Sequence, residues 1–492
     1  MDKDQITGIV LMLLLMFGYF FFFSPDQQEP TTPTSKETVT SITPNTVTQQ
    51  EAIATIPDTV LSSKYGVFGT LMQGESKSIT LENSDAVFTF NTKGGSIEKV
   101  ILKNYVTNEK KTLVLFDNAA HKISENIETN SGTIDLNQLY YQAEKKGNTL
   151  VFKAQLDDNA YIERSYTLPE QGFVLSYNVN TPNTSAIIKS QAIAFKWTAQ
   201  IRNLEKDLEQ SRIRTTVNYY MPKDDKFDYL NETSKDKEEV VLEQAAAWVS
   251  FKQKFFNTSI ITDKSFEKVK VSLSPNDAPE MVKNTEMELQ IPLADLNGAA
   301  KLRYYFGPNV YDICEQVAPR FEKNVYLGWS FLAYINLYLV VPVFKLLEKV
   351  SDNYGLVIFL LVLVVKILLF PLTYKSYKSM AKMRVLKPEM DELKAKYGDD
   401  IMKIQQETMA IYKQVGVNPL SGCIPILAQM PVFIALFNFF PNAIELRQES
   451  FLWATDLSSY DSVLDLPFSI PFYGDHVSLF TILMTISTII YT

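Results

Sequence analysis

The chain has 492 residues, enough for two or more domains, and a formal net charge of −9 that disfavours a general nucleic-acid binder. Its two cysteines, Cys314 and Cys423, stand far apart in unlike surroundings and indicate neither a disulfide framework nor a metal site. With His121 and His476 as the only histidines, His-based catalysis is disfavoured too.

Residues 1–23 hold the first apolar run, Ile6–Phe23, which carries no charge and ends in FFFFSP. It lacks the small-residue pattern of a cleavage site, so an uncleaved signal anchor is expected rather than a removable export signal. The charges before it balance, and its orientation has to come from elsewhere. Residues 24–61 are rich in Thr, Ser, Pro and Gln and read as a disordered tether.

From 62 to 310 the pattern is that of strands. Leu150, Phe152, Ala154 and Leu156 alternate with polar neighbours, as do Phe173, Leu175, Tyr177 and Val179. Ile193, Phe195, Trp197, Ala199 and Ile201 do the same, and Lys93-Gly94-Gly95 and Gly147-Asn148 mark turns. Period-two alternation buries one face of each strand, which predicts a β-sandwich of roughly 240 residues. His121 is its only histidine and no acid/base constellation is visible, so a scaffold or docking role is expected of it.

Leu327–Phe344 is apolar enough to pass for a span, but Pro342 interrupts it and Lys345, Glu348 and Lys349 make its end amphipathic. Trp329, Tyr334 and Tyr338 suit a membrane–water interface. Gly355–Thr373 is long enough to cross a bilayer and contains one charge, Lys366. At ~1.5 Å per residue that lysine lies ~13–17 Å from either end, and ionisable groups at such depth usually line a pathway or a wet cavity. Val362, Leu363, Leu369 and Phe370, one turn away, cannot pair with it. Another helix or water must solvate it; Gln429 is the nearest candidate in the sequence, and Asn438 lies closer to the outer end.

The linker Tyr374–Lys413 carries nine Lys or Arg residues, whereas Pro441–Val477 carries Arg447 alone against six acids. The positive-inside rule puts the first loop in the cytoplasm and the second outside, which places the β-domain outside and the amino terminus inside provided that 327–349 lies along the surface rather than crossing it. Within the linker Met380, Met383, Leu386, Met390, Leu393 and Tyr397 recur at helical steps. Gly398-Asp399-Asp400 breaks the run before a weaker stripe of Ile401, Ile404, Thr408, Ile411 and Tyr412, so a helical hairpin over 374–413 is expected. The methionine stripe reads either as hairpin packing or as an adaptable surface for varied substrate segments.

PLTYKSYKSMAKMRVLKPEM (Pro371–Met390), NPLSGCIPILAQMPVFIAL (Asn418–Leu436) and ELRQ (Glu445–Gln448) resemble the YidC family of bacterial membrane protein insertases. The resemblance is close over the last third of the chain and looser, in layout and short runs, before it. It implies an α-helical membrane protein core with a large all-β, twisted β-sandwich extracytoplasmic domain, similar in fold to sugar-binding and mutarotase-like domains. Ala246–Phe256 resembles the part of that sandwich leading back to the membrane. An interfacial amphipathic helix is implied at 325–350, followed by a core over 351–492 with helices at about 354–373, 418–440 and 477–492.

In that family a hydrophilic groove opens to the cytoplasm and to lipid and is closed on the outside. A basic residue at the position matching Lys366 attracts acidic residues of the incoming chain. Most relatives carry arginine there; lysine keeps the charge but loses the planar fork. The implied groove residues are Lys366 and Gln429, and Met380, Met383, Arg384, Met390 and Leu393 form a hairpin surface for substrate or ribosome. The expected function is insertion, folding and assembly of inner-membrane proteins, alone or with the Sec translocon, with no catalytic chemistry, cofactor or metal. The expected partners are nascent membrane proteins, the Sec translocon, the ribosome and the lipid bilayer, with no small-molecule substrate. The family core usually has five spans after the external domain, so the last run, Val477–Thr492, looks truncated within a fourth transmembrane helix. The alternative is a membrane-anchored carbohydrate-binding or carbohydrate-processing protein acting through the β-domain. A solute transporter is disfavoured by the lack of internal repeats and of broken helices in matching positions.

Overall fold

Alternating sequence becomes strand with one buried face. In the strand Ala192–Arg202 the inward residues Ile193, Phe195, Trp197, Ala199 and Ile201 are at most 3% exposed. The same pattern recurs in Val174–Asn180 and Thr149–Gln155. The computed structural model describes residues 58–293, 302–329, 331–398, 400–416, 424–470 and 474–491. The expected anchor at 1–23, the tether up to residue 57, and Cys423 lie outside them.

The strands form two layers. Ser78–Glu82, Ala86–Asn91, Ser96–Val106 and Thr112–Asp117 make a four-stranded antiparallel meander. The strands from His121–Thr129 to Leu302–Pro308 make a fourteen-stranded sheet. Aromatic rings lock the layers together: Phe88 and Phe116 of the meander meet Phe306 edge-on at 5.8 and 5.5 Å, and Phe90 meets Tyr166 at 4.6 Å. Such pairs add about 0.5–1.5 kcal/mol each beyond the area they bury. Arg164 is sealed inside, paired with Glu125 at 2.7 Å and with Tyr177 at 3.1 Å.

A helix, α1 (Asp58–Tyr65), precedes the meander and buries Leu61, so ordered structure begins inside the segment expected to be tether. After the sandwich comes α2 (Phe331–Glu348), which contains a π turn at Asn336–Val340. Arg214 lies over the ring of Tyr326 at 4.0 Å just before the helix, and Lys345 near its end pairs with Asp312.

The next helix, α3 (Tyr354–Val385), is 32 residues long and starts where Asn353 accepts from the Leu356 amide at 3.0 Å. It runs twelve residues past Thr373, where the sequence pattern predicts a boundary. Lys, Ser, Tyr, Met and Arg all sustain a helix, and no glycine or proline intervenes before Pro388. The break comes at Leu386, followed by α4 (Lys387–Tyr397) with Pro388 in its first turn and α5 (Ile401–Val415) capped by Asp400 at 3.1 Å. The basic arm thus has three helical pieces, the first continuous with the apolar helix. The chain closes with α6 (Ile424–Phe439), a loop carrying a β-hairpin (Leu464–Ile470 with Gly474–Val477), and α7 (Leu479–Tyr491). By length and composition α2 and Tyr354–Tyr374 of α3 could each cross a membrane.

Candidate functional site

At the end nearest the β-domain, α2, α3 and α6 are closed by a dry cluster of Val340, Phe344, Val357, Leu361, Leu436 and Phe439. Buried Asn336 ties α2 across to α6, donating to the carbonyls of Leu327 at 2.7 Å and Ala435 at 2.9 Å. The π turn begins at this asparagine.

Val365, one turn beyond Leu361, is still buried, and the Lys366 side chain next to it is exposed. Its ammonium sits 4.9 Å from the centroid of the Phe433 ring on α6. A cation–π contact of this kind gives about 0.5–2 kcal/mol. Gln429 does not solvate the lysine, contrary to the sequence expectation. Its amide donates to the Thr373 hydroxyl at 3.1 Å, and that hydroxyl donates to the Leu369 carbonyl at 3.0 Å. The physical reason is local: Pro371 disrupts the ladder of α3, and Thr373 and Gln429 form the polar joint beside it. Lys366 therefore faces Phe433, one turn along α6 from Gln429.

On the arm, Met380, Met383, Met390 and Leu393 are half-buried and Arg384 is exposed. The stripe faces the packing of the arm, and the open apolar surface lies elsewhere, at Val385 (77% exposed), Ile401 and Met402 (83%). Sequence periodicity locates such a stripe without telling which side of it is covered.

The sequence reading missed a third constellation. ELRQ, beyond α6, docks on the β-domain. Arg447 donates from Nε to both Glu205 oxygens at 2.9 Å and from Nη2 to the Val106 carbonyl at 2.7 Å. Gln448 donates to the carbonyls of Val106 and Thr107 at 3.0 Å and accepts from Lys110 at 3.0 Å. Lys254 and Lys206 reach the carbonyls of Ser458 and Tyr460 at 3.2 and 3.3 Å. Burial pushes the Glu205 carboxyl up and Arg447 opposes it, while burial pulls the Lys254 ammonium down. The available signal was Arg447 itself, a lone cation among six acids.

His121 is buried against Phe116 and accepts from Trp197 Nε1 at 3.2 Å, and burial pulls its pKa down to about 3. A trough of about 340 Å³ on the large sheet is lined by groups such as Lys122, Thr198, Gln200, Asn284 and Glu286, with no aromatic ring for a sugar to stack on. Among the described residues, no three His, Cys, Asp or Glu side chains gather as a metal site.

Comparison with known proteins agrees with this layout. The family described as YidC periplasmic domain matches residues 78–340, and the family described as 60Kd inner membrane protein matches residues 346–492. The membrane protein insertase YidC of Cytophaga hutchinsonii is 46% identical over 519 residues, covering 100% of this chain and 82% of that protein. Its counterpart from Amoebophilus asiaticus is 40% identical over 504 residues, covering 100% and 83%. The crystal structure of YidC from Thermotoga maritima is similar at 9% identity and a TM-score of 0.28, covering 67% of this chain and 78% of that one. With one family spanning the sandwich, another spanning the helices, and relatives aligned over its whole length, the chain belongs to the YidC family of membrane protein insertases.

Proposed function

We propose that the chain assists insertion and folding of inner-membrane proteins by giving their polar flanks a wet path beside Lys366. The observation that carries this reading is the lysine itself, exposed on an apolar helix just past the point where three helices seal against one another. A sealed end and an open end with a fixed cation shorten the apolar distance a polar tail has to cross. The amino terminus and the arm lie in the cytoplasm, as the nine-to-one excess of basic residues over the later loop argues. The β-domain is periplasmic, and α2 lies along the membrane surface beneath it, its Lys345 paired with Asp312 in the segment that leaves the β-domain. Nascent membrane proteins are the clients. The ribosome is met at the arm, around Arg384 and the apolar surface beside it, and the Sec translocon cooperates, a partnership resting on the family resemblance. The β-domain is a scaffold; its aromatic-free trough and buried His121 favour no carbohydrate chemistry.

The test is protease protection of a single-span client with acidic or basic external tails, using Lys366→Ala, Lys366→Arg and Lys366→Glu. Lys366→Arg should retain insertion of acidic tails, Lys366→Ala should reduce it, and Lys366→Glu should reduce it further while sparing basic tails. Equal insertion of both tails by all variants would show that Lys366 merely snorkels.

A further inference from the structure

The loop between α6 and α7 carries apolar surface that the insertase reading does not use. In its hairpin Leu464 is 59% and Phe468 60% exposed. Beside the hairpin, Leu452 is 71% exposed, in a turn where its φ is 53°. Isolated exposed apolar residues need no explanation, but a cluster on one short element does.

Two sets of contacts say which way this surface points. Asp465 pairs with His476 across the hairpin, and directly paired residues share a face. His476 stacks on Tyr460 at 3.9 Å, and Lys206 of the β-domain sits over the same Tyr460 ring at 4.3 Å. The polar face of the hairpin is therefore turned toward the β-domain. Leu464 pairs with Val477 on the opposite face, away from that domain.

The second set fixes the level. Val477 lies two residues before α7, so its partner Leu464, about 5 Å across the ladder, is level with the start of that helix. Asp461 accepts from the amides of Leu479 and Phe480 at 2.8 and 3.1 Å and from Trp453 Nε1 at 3.0 Å, and Trp453 packs on Phe480 at 4.6 Å. A tryptophan with its indole N–H held by a carboxylate and its ring against the first turn of an apolar helix is placed as interfacial tryptophans are. The exposed surface is thus level with the start of α7, whose Ile482, Leu483, Met484 and Ile486 are also exposed.

We infer that the hairpin is a membrane-interface foot: Leu464, Phe468, Leu452 and Trp453 rest in the headgroup–acyl boundary of the outer leaflet and set the depth of α7. The occupant is lipid. The surface faces away from the β-domain and lies level with the start of an apolar helix, and the hairpin bears acids (Asp465, Asp475) rather than lysines, so it works by burial of apolar area and not by attraction to anionic headgroups. The inference rests on the reading that α7 enters the membrane.

Nitroxide labels on the full chain in zwitterionic nanodiscs test it, with Cys314 and Cys423 replaced by alanine and single variants Leu464→Cys, Phe468→Cys, Asp465→Cys and Ile486→Cys. Collision with oxygen should exceed collision with a water-soluble nickel chelate several-fold at Leu464 and Phe468, at roughly 5–10 Å below the phosphates, and the ratio should invert at Asp465. The Ile486 label separates the two readings: lipid contact there with water contact at Leu464 and Phe468 overturns the foot alone. Water contact at Ile486 overturns the membrane placement of α7 itself. Exclusion of both quenchers at Leu464 and Phe468 would mean a protein covers the face, and dependence on protein concentration would identify a second copy; either result overturns the lipid assignment. Leu452→Cys, on the other side of the foot, repeats the measurement should a hairpin label perturb folding.

Discussion

The Glu205–Arg447 pair sets how firmly the external loop is held to the β-domain, and its strength can be worked out before it is measured. The side chains are 9% and 3% exposed, with both Glu205 oxygens 2.9 Å from Arg447 Nε. Breaking so buried a pair by removing one partner costs about 3–5 kcal/mol, most of it the stranding of the other charge. The two single variants should differ, because a carboxylate can take up a proton and a guanidinium cannot release one. In Arg447→Met, burial pushes Glu205 upward with the Lys254 ammonium the remaining cation opposing it, so the cost should sit near ~3 kcal/mol at neutral pH and shrink as pH falls. Glu205→Gln leaves a permanent cation and should cost nearer ~5 kcal/mol. The double variant Arg447→Met/Glu205→Leu removes both charges of the pair, with Lys254 losing one carboxylate neighbour, and should fall within ~2 kcal/mol of the parent. Hydrogen exchange at the amides of Leu446, Arg447 and Gln448 in nanodiscs reads these costs as local opening. A tenfold change per ~1.4 kcal/mol predicts acceleration of roughly a hundred- to a thousandfold or more for the single variants and under about thirtyfold for the double. Strictly additive effects, or single variants that leave exchange unchanged, would refute the reasoning.

Two further outcomes are expected elsewhere in the chain. The His121 pKa of about 3 lies below its ordinary value of 6.5, so between those values the unfolded chain binds a proton that the folded one refuses. Stability of the β-domain should be independent of His121 above pH 6.5, fall by up to about 3–5 kcal/mol down to pH 3, and level off below it. Urea unfolding followed by Trp197 fluorescence checks this, and His121→Gln should flatten that part of the profile; an unchanged slope would exclude His121 as the cause. On the arm, serine at half-buried Met383, Met390 and Leu393 should loosen its helices by about 1 kcal/mol per site, while serine at exposed Ile401 and Met402 should leave folding intact and weaken crosslinking to a nascent client. Amide protection and crosslinking yield distinguish the two sets, and the reverse pattern would return the binding surface to the methionine stripe.

What was legible in the sequence follows from which interactions are periodic. Strand alternation reports burial directly, so the inward faces of Ala192–Arg202 and Val174–Asn180 could be read residue by residue. Lys366 stood out because a charge inside an apolar run has no local explanation. Its surroundings were not legible, because contacts between α3 and α6 depend on how two helices cross: Gln429 goes to Thr373 while Phe433 meets the lysine. The helix boundary at Thr373 was misplaced because a change from apolar to basic residues alters solvation without disturbing the backbone, and α3 continues to Val385. The clamp was invisible for a different reason. Glu205 and Arg447 are 242 positions apart, and no periodicity spans such a distance.

That separation bears on removal of the whole β-domain. Insertion is expected to survive loss of residues 62–310 if the groove alone does the work. The Glu205–Arg447 pair argues against this at first sight, since Arg447 takes its only carboxylate from Glu205 among the described residues. The energetics point the other way. Glu205→Gln leaves Arg447 desolvated between Phe256 and the Val106 carbonyl, whereas deletion removes both of those groups along with Glu205 and returns the guanidinium to water. A rehydrated arginine costs nothing electrostatically; only the restraint on the loop is lost. Glu205→Gln should therefore impair insertion more than deletion of the domain does, and in Glu205→Gln a second change, Arg447→Met, should restore much of the loss. Comparison of the three proteins at matched membrane abundance, with the same single-span client, decides it. If deletion is the most damaging and Glu205→Gln is silent, the β-domain contributes through something other than this pair.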